Sequence, residues 1–214
     1  MAKTLTTPDV QRLLLYDVSW QAYERLLRAL EERRRLRITF DQGSLEIMTL
    51  SLGHERIKHL LGLLIVFLAE IRGINIAGFG SITMKRRQRQ KGLEPDECFW
   101  IQHEAIMRNK TTGTFNPRKD PPPDLALEVE ISRSTINRMG IYAALKVPEV
   151  WRWRKRALEV CFLDEKGKYR PGQTSRAFPH FLPAKLVPFV ELASKDGEVE
   201  MMRAFRNWLN KTKS

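Results

Sequence analysis

Apolar positions in the first third of the chain repeat with helical and then with extended spacing. Ser19 can cap a helix whose apolar residues, from Trp20 to Leu30, lie on one face, as in a helix at the protein surface. Residues 35–40 and 44–49 alternate apolar and polar side chains around a turn at 41–43, which predicts a β-hairpin. Residues 53–72 then repeat apolar side chains at helical spacing with so few polar positions that the predicted helix must be largely buried.

The rest of the chain continues to mix the two patterns. Extended segments are predicted at residues 74–84, 96–102, 124–132, 147–154, 157–164 and, as a looped strand region, 168–183. Helices are predicted at 137–145, capped by Ser134 or Thr135, and near the C-terminus at 186–193 and 199–209. The order of elements indicates an α/β fold with one mixed central sheet flanked by helices. We expect a domain at residues 19–196, preceded by an N-terminal extension at 1–18 and followed by a C-terminal helix at 197–214.

Composition narrows the class of protein further. The 214 residues include 37 Lys and Arg against 25 Asp and Glu, so the net charge is +12, and 43% of the residues are hydrophobic. Such a chain can build a core, which excludes a disordered protein, and the positive charge favours a polyanionic partner. Two distant cysteines exclude a disulfide framework or a four-cysteine zinc site, and no apolar stretch is long enough to span a bilayer. We therefore expect a soluble, cytoplasmic protein without a membrane partner.

Three acidic residues lie beside apolar strand positions, where carboxylates are uncommon. Asp96 precedes a predicted strand, and Glu128 and Glu130 lie two residues apart in another, so they face the same side of the sheet. Two carboxylates at a partly buried place repel each other unless a cation joins them, and Mg²⁺ takes oxygen ligands of this kind. Ion pairs with some of the many arginines, or exposure at a sheet edge, would explain the same residues without a metal.

Three sequence blocks resemble a known family. These are Glu-Pro-Asp at 94–96, Pro-Pro-Asp-Leu-Ala-Leu-Glu-Val-Glu-Ile-Ser at 122–132, and Ile-Tyr-Ala-Ala-Leu-Lys-Val-Pro-Glu-Val-Trp-Arg at 141–152. In this order they resemble the Uma-two family of putative restriction endonucleases, within the PD-(D/E)xK nuclease superfamily. The resemblance covers roughly residues 19–190. It implies a restriction-endonuclease-like core in which an Asp and a Glu on adjacent strands bind a divalent metal, Mg²⁺ or Mn²⁺, beside the scissile phosphate.

The resemblance also assigns roles to individual residues. Asp96 matches the Asp of the PD motif and Glu128 the acidic residue of the (D/E)xK motif, so these two are the implied metal ligands. The third motif position, usually Lys, is Glu130 here, and Arg138 in the following helix, with Lys146 further on, is the implied source of the basic group. Arginine does not release its proton at neutral pH, so Arg138 could stabilise charge but could not act as a general base.

Other acids and histidines near these motifs are weaker candidates. The superfamily often adds a Glu from the first core helix, and Glu55 is at the matching place, although a carboxylate there could simply complement the helix dipole. His54 and His59 are five residues apart and do not share a helix face as a zinc pair would, so we discount them as zinc ligands. Asp124 is the alternative metal ligand to Asp96 and otherwise ends a loop or caps a strand.

Basic residues cluster at 33–37, at 85–91 and at 152–156. The second cluster leads directly to Asp96, so its side chains are predicted to contact nucleic-acid phosphates: Lys85, Arg86, Arg87, Arg89 and Lys91. A solvated hairpin tip is the alternative. In the third cluster, Trp151 and Trp153 share one face of a strand and are predicted to belong to the core rather than to stack on bases.

Three functions fit these observations. The leading hypothesis is a metal-dependent DNA endonuclease, which would form a homodimer if two sites address two strands. The second is a nuclease-fold nucleic-acid-binding module that has lost turnover, because Glu130 and Arg138 stand where lysines are usual. The third is a partner-binding scaffold in which the positive charge only keeps the surface soluble.

Overall fold

A computed structural model of the chain describes residues 10–30, 36–110, 115–132 and 134–212. The predicted basic residues at 33–35, and the ends of the chain at 1–9 and 213–214, lie outside these ranges. Six helices occur in the described ranges: α1 Trp20–Ala29, α2 Leu52–Arg72, α3 Glu104–Met107, α4 Arg138–Ala144, α5 Val187–Asp196 and α6 Glu198–Thr212. Eleven strands occur there: β1 Arg12–Leu15, β2 Leu36–Asp41, β3 Ser44–Thr49, β4 Ala77–Phe79, β5 Met84–Arg86, β6 Lys91–Leu93, β7 Glu97–Trp100, β8 Leu125–Glu130, β9 Glu149–Arg154, β10 Ala157–Leu163 and β11 Tyr169–Gly172.

The strands form two sheets. The first has the order β1-β3-β2-β6-β5 and is antiparallel throughout. The second has the order β11-β10-β9-β8-β7-β4, and only β8 and β9 pair in parallel, joined along the chain by α4. A parallel pair needs such a crossover, because a short turn can only join antiparallel neighbours.

The prediction of a single sheet was therefore wrong. The extended segment predicted at 74–84 contains β4, which pairs with β7 in the second sheet, and at its last residue it meets the start of β5, which pairs with β6 in the first. Its alternating pattern gave no sign of this division, because strand pairing depends on residues distant in the chain. Strand β1, inside the predicted extension, and the short helix α3 were also not predicted.

Local capping explains the start of three helices and the end of α2. Ser19 accepts the amide of Ala22 at the start of α1, and Ser51 accepts that of His54 at the start of α2. Gly73 ends α2 in the left-handed conformation, at φ 65°. The caps predicted for α4 were wrong, because Asn137 accepts the amide of Gly140 there.

The second sheet is covered on both faces, which makes it the centre of the protein. Helices α2, α5 and α6 pack on one face, against residues that include Leu127, Trp151 and Trp153, so the predicted core position of the two tryptophans is confirmed. Helix α4 packs on the other face, together with residues from β5 and β6. A third cluster, around Phe40, lies between the first sheet and α1. Within the described ranges, no helix is both long and apolar enough to cross a membrane.

Candidate functional site

Asp96 lies immediately before β7 and is almost completely buried, with 2% of its surface exposed. Its Oδ1 atom is 3.1 Å from His54 Nε2 and 3.3 Å from Arg37 Nη2, and its Oδ2 atom accepts the backbone amide of Val129 at 2.7 Å. Burial alone would raise the pKa of this carboxyl, but the hydrogen bond and charge of His54 and the charge of Arg37 lower it. Asp96 is therefore held as a buried carboxylate by two cationic side chains.

His54 and Glu55 extend this cluster to the start of α2. His54 Nδ1 lies 3.3 Å from Glu55 Oε1, so the imidazole joins the carboxylates of Glu55 and Asp96. Burial opposes the charged form of His54, but its hydrogen bond to Asp96 raises its pKa overall. Glu55 is half-exposed at 44% and also contacts Lys58, so it reaches Asp96 only through His54.

Glu128 lies on β8 and is bound by two side chains of α4. Arg138 donates to it through Nε, to Oε1, and through Nη2, to Oε2 at 2.9 Å, and the Tyr142 hydroxyl donates to Oε2 at 2.6 Å. Burial and the charge of Glu128 raise the pKa of Tyr142, which keeps this hydroxyl a donor. The two residues are one helical turn apart, so the same face of α4 fixes both carboxylate oxygens.

Arg138 has further oxygen partners on other elements. Its Nη1 atom donates to Thr39 Oγ1 at 2.6 Å, and its Nη2 atom donates to the carbonyl of Glu94 at 2.8 Å. Burial opposes its charge, but the carboxylate of Glu128, and more weakly that of Asp96, raise its pKa. The buried guanidinium thus joins β2, β8 and the segment before Asp96.

A cleft of about 260 Å³ opens beside β8. Glu128 and Glu130 both line it, as expected for two residues on the same face of the strand. Arg152 of β9 binds Glu130 through Nε at 2.8 Å and through Nη2. The charged side chains around the cleft form three ion pairs: Arg12–Glu46, Arg138–Glu128 and Arg152–Glu130.

Glu46 of β3 shapes one wall of the cleft and was not among the candidates predicted from the sequence. It accepts the Ser134 hydroxyl at 2.7 Å and the Thr135 amide at 3.1 Å, while Arg12 contacts it at 3.1 Å. Arg12 also donates to the carbonyl and hydroxyl of Ser132. These bonds tie the connection between β8 and α4 to the first sheet.

Two of the predicted residues lie away from this cluster. Lys146 is exposed and lies two residues beyond the end of α4, so the helix, roughly 10 Å long, separates it from Arg138. Asp124 accepts the amides of Ile101 and Gln102 at 2.6 and 3.0 Å, so it fixes a loop, one of the two roles predicted for it.

The predicted phosphate-contacting residues form the tip of the hairpin β5–β6. Lys85 pairs with Glu24, Lys91 pairs with Asp41, and Arg86 donates to the carbonyl of Ala144 at the end of α4. Arg87 and Arg89 are exposed at the tip. Lys91 pairs with Asp41 of β2, and Arg37, which contacts Asp96, lies four residues earlier on the same strand. Four residues of a strand span roughly 13 Å, so the tip lies about that far from the Asp96 cluster.

The oxygen atoms around Arg138 are of the kind that Mg²⁺ binds. Glu128 offers a carboxylate, Glu94 a backbone carbonyl and Thr39 a hydroxyl, and Asp96 lies close enough for its charge to act on Arg138. In the part of the chain that the structure describes, no three His, Cys, Asp or Glu side chains form a metal-binding group. The donor chemistry thus fits a hard cation, while the place among these oxygens is taken by a guanidinium.

The fold and the buried acids on neighbouring strands define a restriction-endonuclease-like α/β protein. The family model Uma2, described as putative restriction endonuclease, matches residues 20–206. The chain belongs to this family, and the family and fold class predicted from the sequence are confirmed. No curated protein matches the chain.

Sequence reasoning missed several residues that hold the site together. Arg37 belongs to a basic cluster, Tyr142 to one of the family blocks and Thr39 to an alternating strand, but only the folded arrangement shows that they contact Asp96, Glu128 or Arg138. His54 was considered only as a zinc ligand. Its position directly before Glu55, at the start of a buried helix, was the one signal that could have identified it.

Proposed function

We propose that this protein is a DNA endonuclease that hydrolyses phosphodiester bonds with a divalent metal, Mg²⁺ or Mn²⁺. The observation that carries the proposal is the joint placement of Glu128, Glu130, Arg138 and Arg152 around one cleft, with Asp96 buried next to the same strand. Acids and arginines in one cleft are what phosphodiester hydrolysis requires, because the reaction needs both an activated water and a partner for phosphate charge.

Each side chain has a distinct role in this mechanism. Asp96 and Glu128, with the carbonyl of Glu94, would hold the metal, which when bound polarises the phosphate and lowers the pKa of a water. Glu130 would accept a proton from the water as the water oxygen attacks phosphorus. The bond from phosphorus to the leaving oxygen would break, and solvent water would give that oxygen its proton. Arg138 and Arg152 stabilise the charge that gathers on the phosphoryl oxygens.

Glu130 suits the role of base better than the arginines do. Arginine stays protonated, whereas a carboxylate accepts a proton directly. Glu130 points into the cleft and has Arg152 as its hydrogen-bond partner, which orients the carboxylate. Lys146, beyond the far end of α4, contributes to DNA binding near Arg86 rather than to the reaction.

Supercoiled plasmid in Mg²⁺ or Mn²⁺ tests the proposal. Wild-type protein is expected to nick the plasmid, while Asp96→Asn and Glu128→Gln, which keep side-chain volume, are expected to lose nicking at unchanged DNA binding. Equal nicking by the wild type and both variants would identify a contaminating nuclease and reject the proposal.

A second candidate function is favoured by the ion pairs themselves. Glu128 and Glu130 are each paired with an arginine, so the chain could bind nucleic acid through the nuclease fold without turnover. Retention on DNA in EDTA that falls with salt, together with absence of nicking, would support this function. Absence of retention even at low salt would favour a partner-binding scaffold. The homodimer and the cytoplasmic location stay predictions.

A further inference from the structure

Arg138 has the coordination that a metal ion would have at this place. Its guanidinium contacts oxygens from three parts of the chain: both carboxylate oxygens of Glu128, the carbonyl of Glu94 and the hydroxyl of Thr39. All of these hydrogen-bond acceptors are oxygen atoms of the kind that hard metal ions bind, and both oxygens of Glu128 are already bound by Arg138. A metal ligand whose lone pairs are directed at a guanidinium is not free to bind a second cation.

Charge balance strengthens this exclusion. Asp96 is neutralised by Arg37 and His54, and Glu128 is neutralised by Arg138. A divalent ion placed among the same oxygens would bring like charges together in a buried region, where electrostatic repulsion is strong. The ion and the guanidinium therefore exclude each other from Glu128.

The cleft provides space into which the Arg138 side chain can move. Its side chain is 11% exposed and lines the 260 Å³ cleft, so the guanidinium has open space next to it. A phosphate group in the cleft would offer oxygens that match its planar, forked donors. Rotation of the Arg138 side chain toward a phosphate would exchange its bonds to Glu128, Thr39 and Glu94 for bonds to the phosphate oxygens.

From this geometry we infer that Arg138 competes with the divalent cation for Glu128 and closes the metal site until a phosphate draws the guanidinium away. The inference rests on the proposed function, since it concerns the same metal site. It adds a control step: metal binding and phosphate binding support each other, because both require Arg138 to leave Glu128.

Calorimetric titration with Mn²⁺ alone, without DNA, tests the inference. Arg138→Gln is expected to bind Mn²⁺ about tenfold more tightly than wild type, or better. Arg156→Gln is the matched control, because it also takes an arginine from a glutamate, Glu191, but at an exposed pair outside the cleft, and its Mn²⁺ affinity is expected to match wild type. Equal or weaker Mn²⁺ binding by Arg138→Gln would overturn the inference.

Thermal melts provide a second measurement, because Arg138→Gln leaves Glu128 buried without its cation. Mn²⁺ is expected to raise the melting temperature of Arg138→Gln more than that of wild type, and the double variant Arg138→Gln, Glu128→Gln is expected to lose this gain. If Arg138→Gln does not fold, Arg138→Lys replaces it, since one ammonium cannot hold all of these oxygens, and it too is expected to bind Mn²⁺ more tightly than wild type.

The outcomes separate the inference from the proposed function. Mn²⁺ binding that is equal in wild type and in Arg138→Gln overturns the competition but leaves a metal-dependent nuclease intact. Absence of Mn²⁺ binding in every variant also overturns the competition, and plasmid nicking by wild-type protein then decides the proposed function separately.

Discussion

Asp96 binds the backbone of Val129, on the strand that also carries Glu128. Backbone pairing between β7 and β8 reaches Leu127, opposite Glu97, and the next amide on that side, that of Val129, is bound by Asp96 Oδ2 at 2.7 Å. The side chain thus continues the ladder where the backbone pairing stops. This bond sets the position of Asp96 relative to Glu128 before any ligand is present.

Replacement of Asp96 is expected to lower the free energy of unfolding, and by more with Ala than with Asn. Asp96→Ala leaves Arg37 and His54 buried without their carboxylate and is expected to cost about 3–5 kcal/mol of unfolding free energy. Asp96→Asn keeps an acceptor for the Val129 amide and is expected to cost less. Urea denaturation measures both, and equal losses would show that this hydrogen bond adds nothing.

Metal-free protein is expected to lose stability at alkaline pH through His54. The pKa of His54 is raised in the folded chain, so its contribution is full below the unfolded value of about 6.5 and is lost as the pH rises through the folded value. Wild type should therefore lose more unfolding free energy between about pH 6 and pH 9 than His54→Gln does. Identical pH profiles for the two proteins would contradict the raised pKa.

Asp96 contributes in the opposite direction, because its pKa is lowered in the folded chain. Its stabilisation is present above the unfolded value of about 3.8 and is lost as the pH falls through the folded value. NMR titration of the imidazole checks the pairing directly, since Asp96→Asn is expected to lower the pKa of His54.

Glu149 is expected to be essential for the loop after β11. This carboxylate is 1% exposed and accepts four donors: Trp151 Nε1, the Ser175 hydroxyl, and the amides of Arg176 and Ala177. Glu149→Gln replaces one acceptor by a donor and is expected to cost about 2–3 kcal/mol. Limited proteolysis should cleave this loop faster in the variant, and Glu159→Gln on the neighbouring strand, where the side chain is half-exposed, is the control.

Arg87 and Arg89 are expected to contribute salt-dependent affinity for DNA. Both are exposed at the hairpin tip, whereas Lys85 and Lys91 have acidic partners. The double variant Arg87→Ala, Arg89→Ala should reduce the slope of log affinity against log salt by about 2. Fluorescence anisotropy measures this slope, and Lys195→Ala, on α5 at the opposite face of the second sheet, should leave it unchanged.

Tyr23→Phe is expected to leave stability unchanged or to raise it by up to about 1 kcal/mol. The Tyr23 hydroxyl is buried, has no hydrogen-bond partner among the described residues, and lies over Gly92, where a Cβ atom would be 2.2 Å from it. Its ring stacks on Phe40 at 4.6 Å and is kept by the substitution. A large loss of stability in thermal melts would show that the hydroxyl has a partner.

Local patterns predicted much of this fold because they depend on neighbouring residues. The capped helix after Ser19, the hairpin at 36–49 and the buried helix after Ser51 each combine regular apolar spacing with a strong end signal. The division into two sheets was not predictable in this way. Strands β4 and β5 are separated by only a few residues but take partners in different sheets, and that choice depends on distant segments.

In the candidate site too, local patterns predicted some residues, while contacts between distant segments were not predictable. Spacing placed Glu128 and Glu130 on one face, and sequence motifs drew attention to Asp96 and Arg138. The partners that bind Asp96 and Arg138 come from the other sheet, as Arg37 and Thr39 do from β2, and no local pattern shows these contacts. For Lys146 the motif was misleading. It implied that Lys146 lies near Arg138, but Lys146 follows the end of α4 and the helix separates the two side chains.

Glu46 links the width of the cleft to the distance between the two sheets. It lies on the first sheet and holds Ser134 and Thr135, which follow a strand of the second sheet, while Arg12 from the same first sheet holds Ser132. The width of the cleft is therefore a measure of the spacing between the two sheets. A ligand that pushes the two sheets apart at the cleft must therefore break the hydrogen bonds of Glu46 and of Arg12 to this connection.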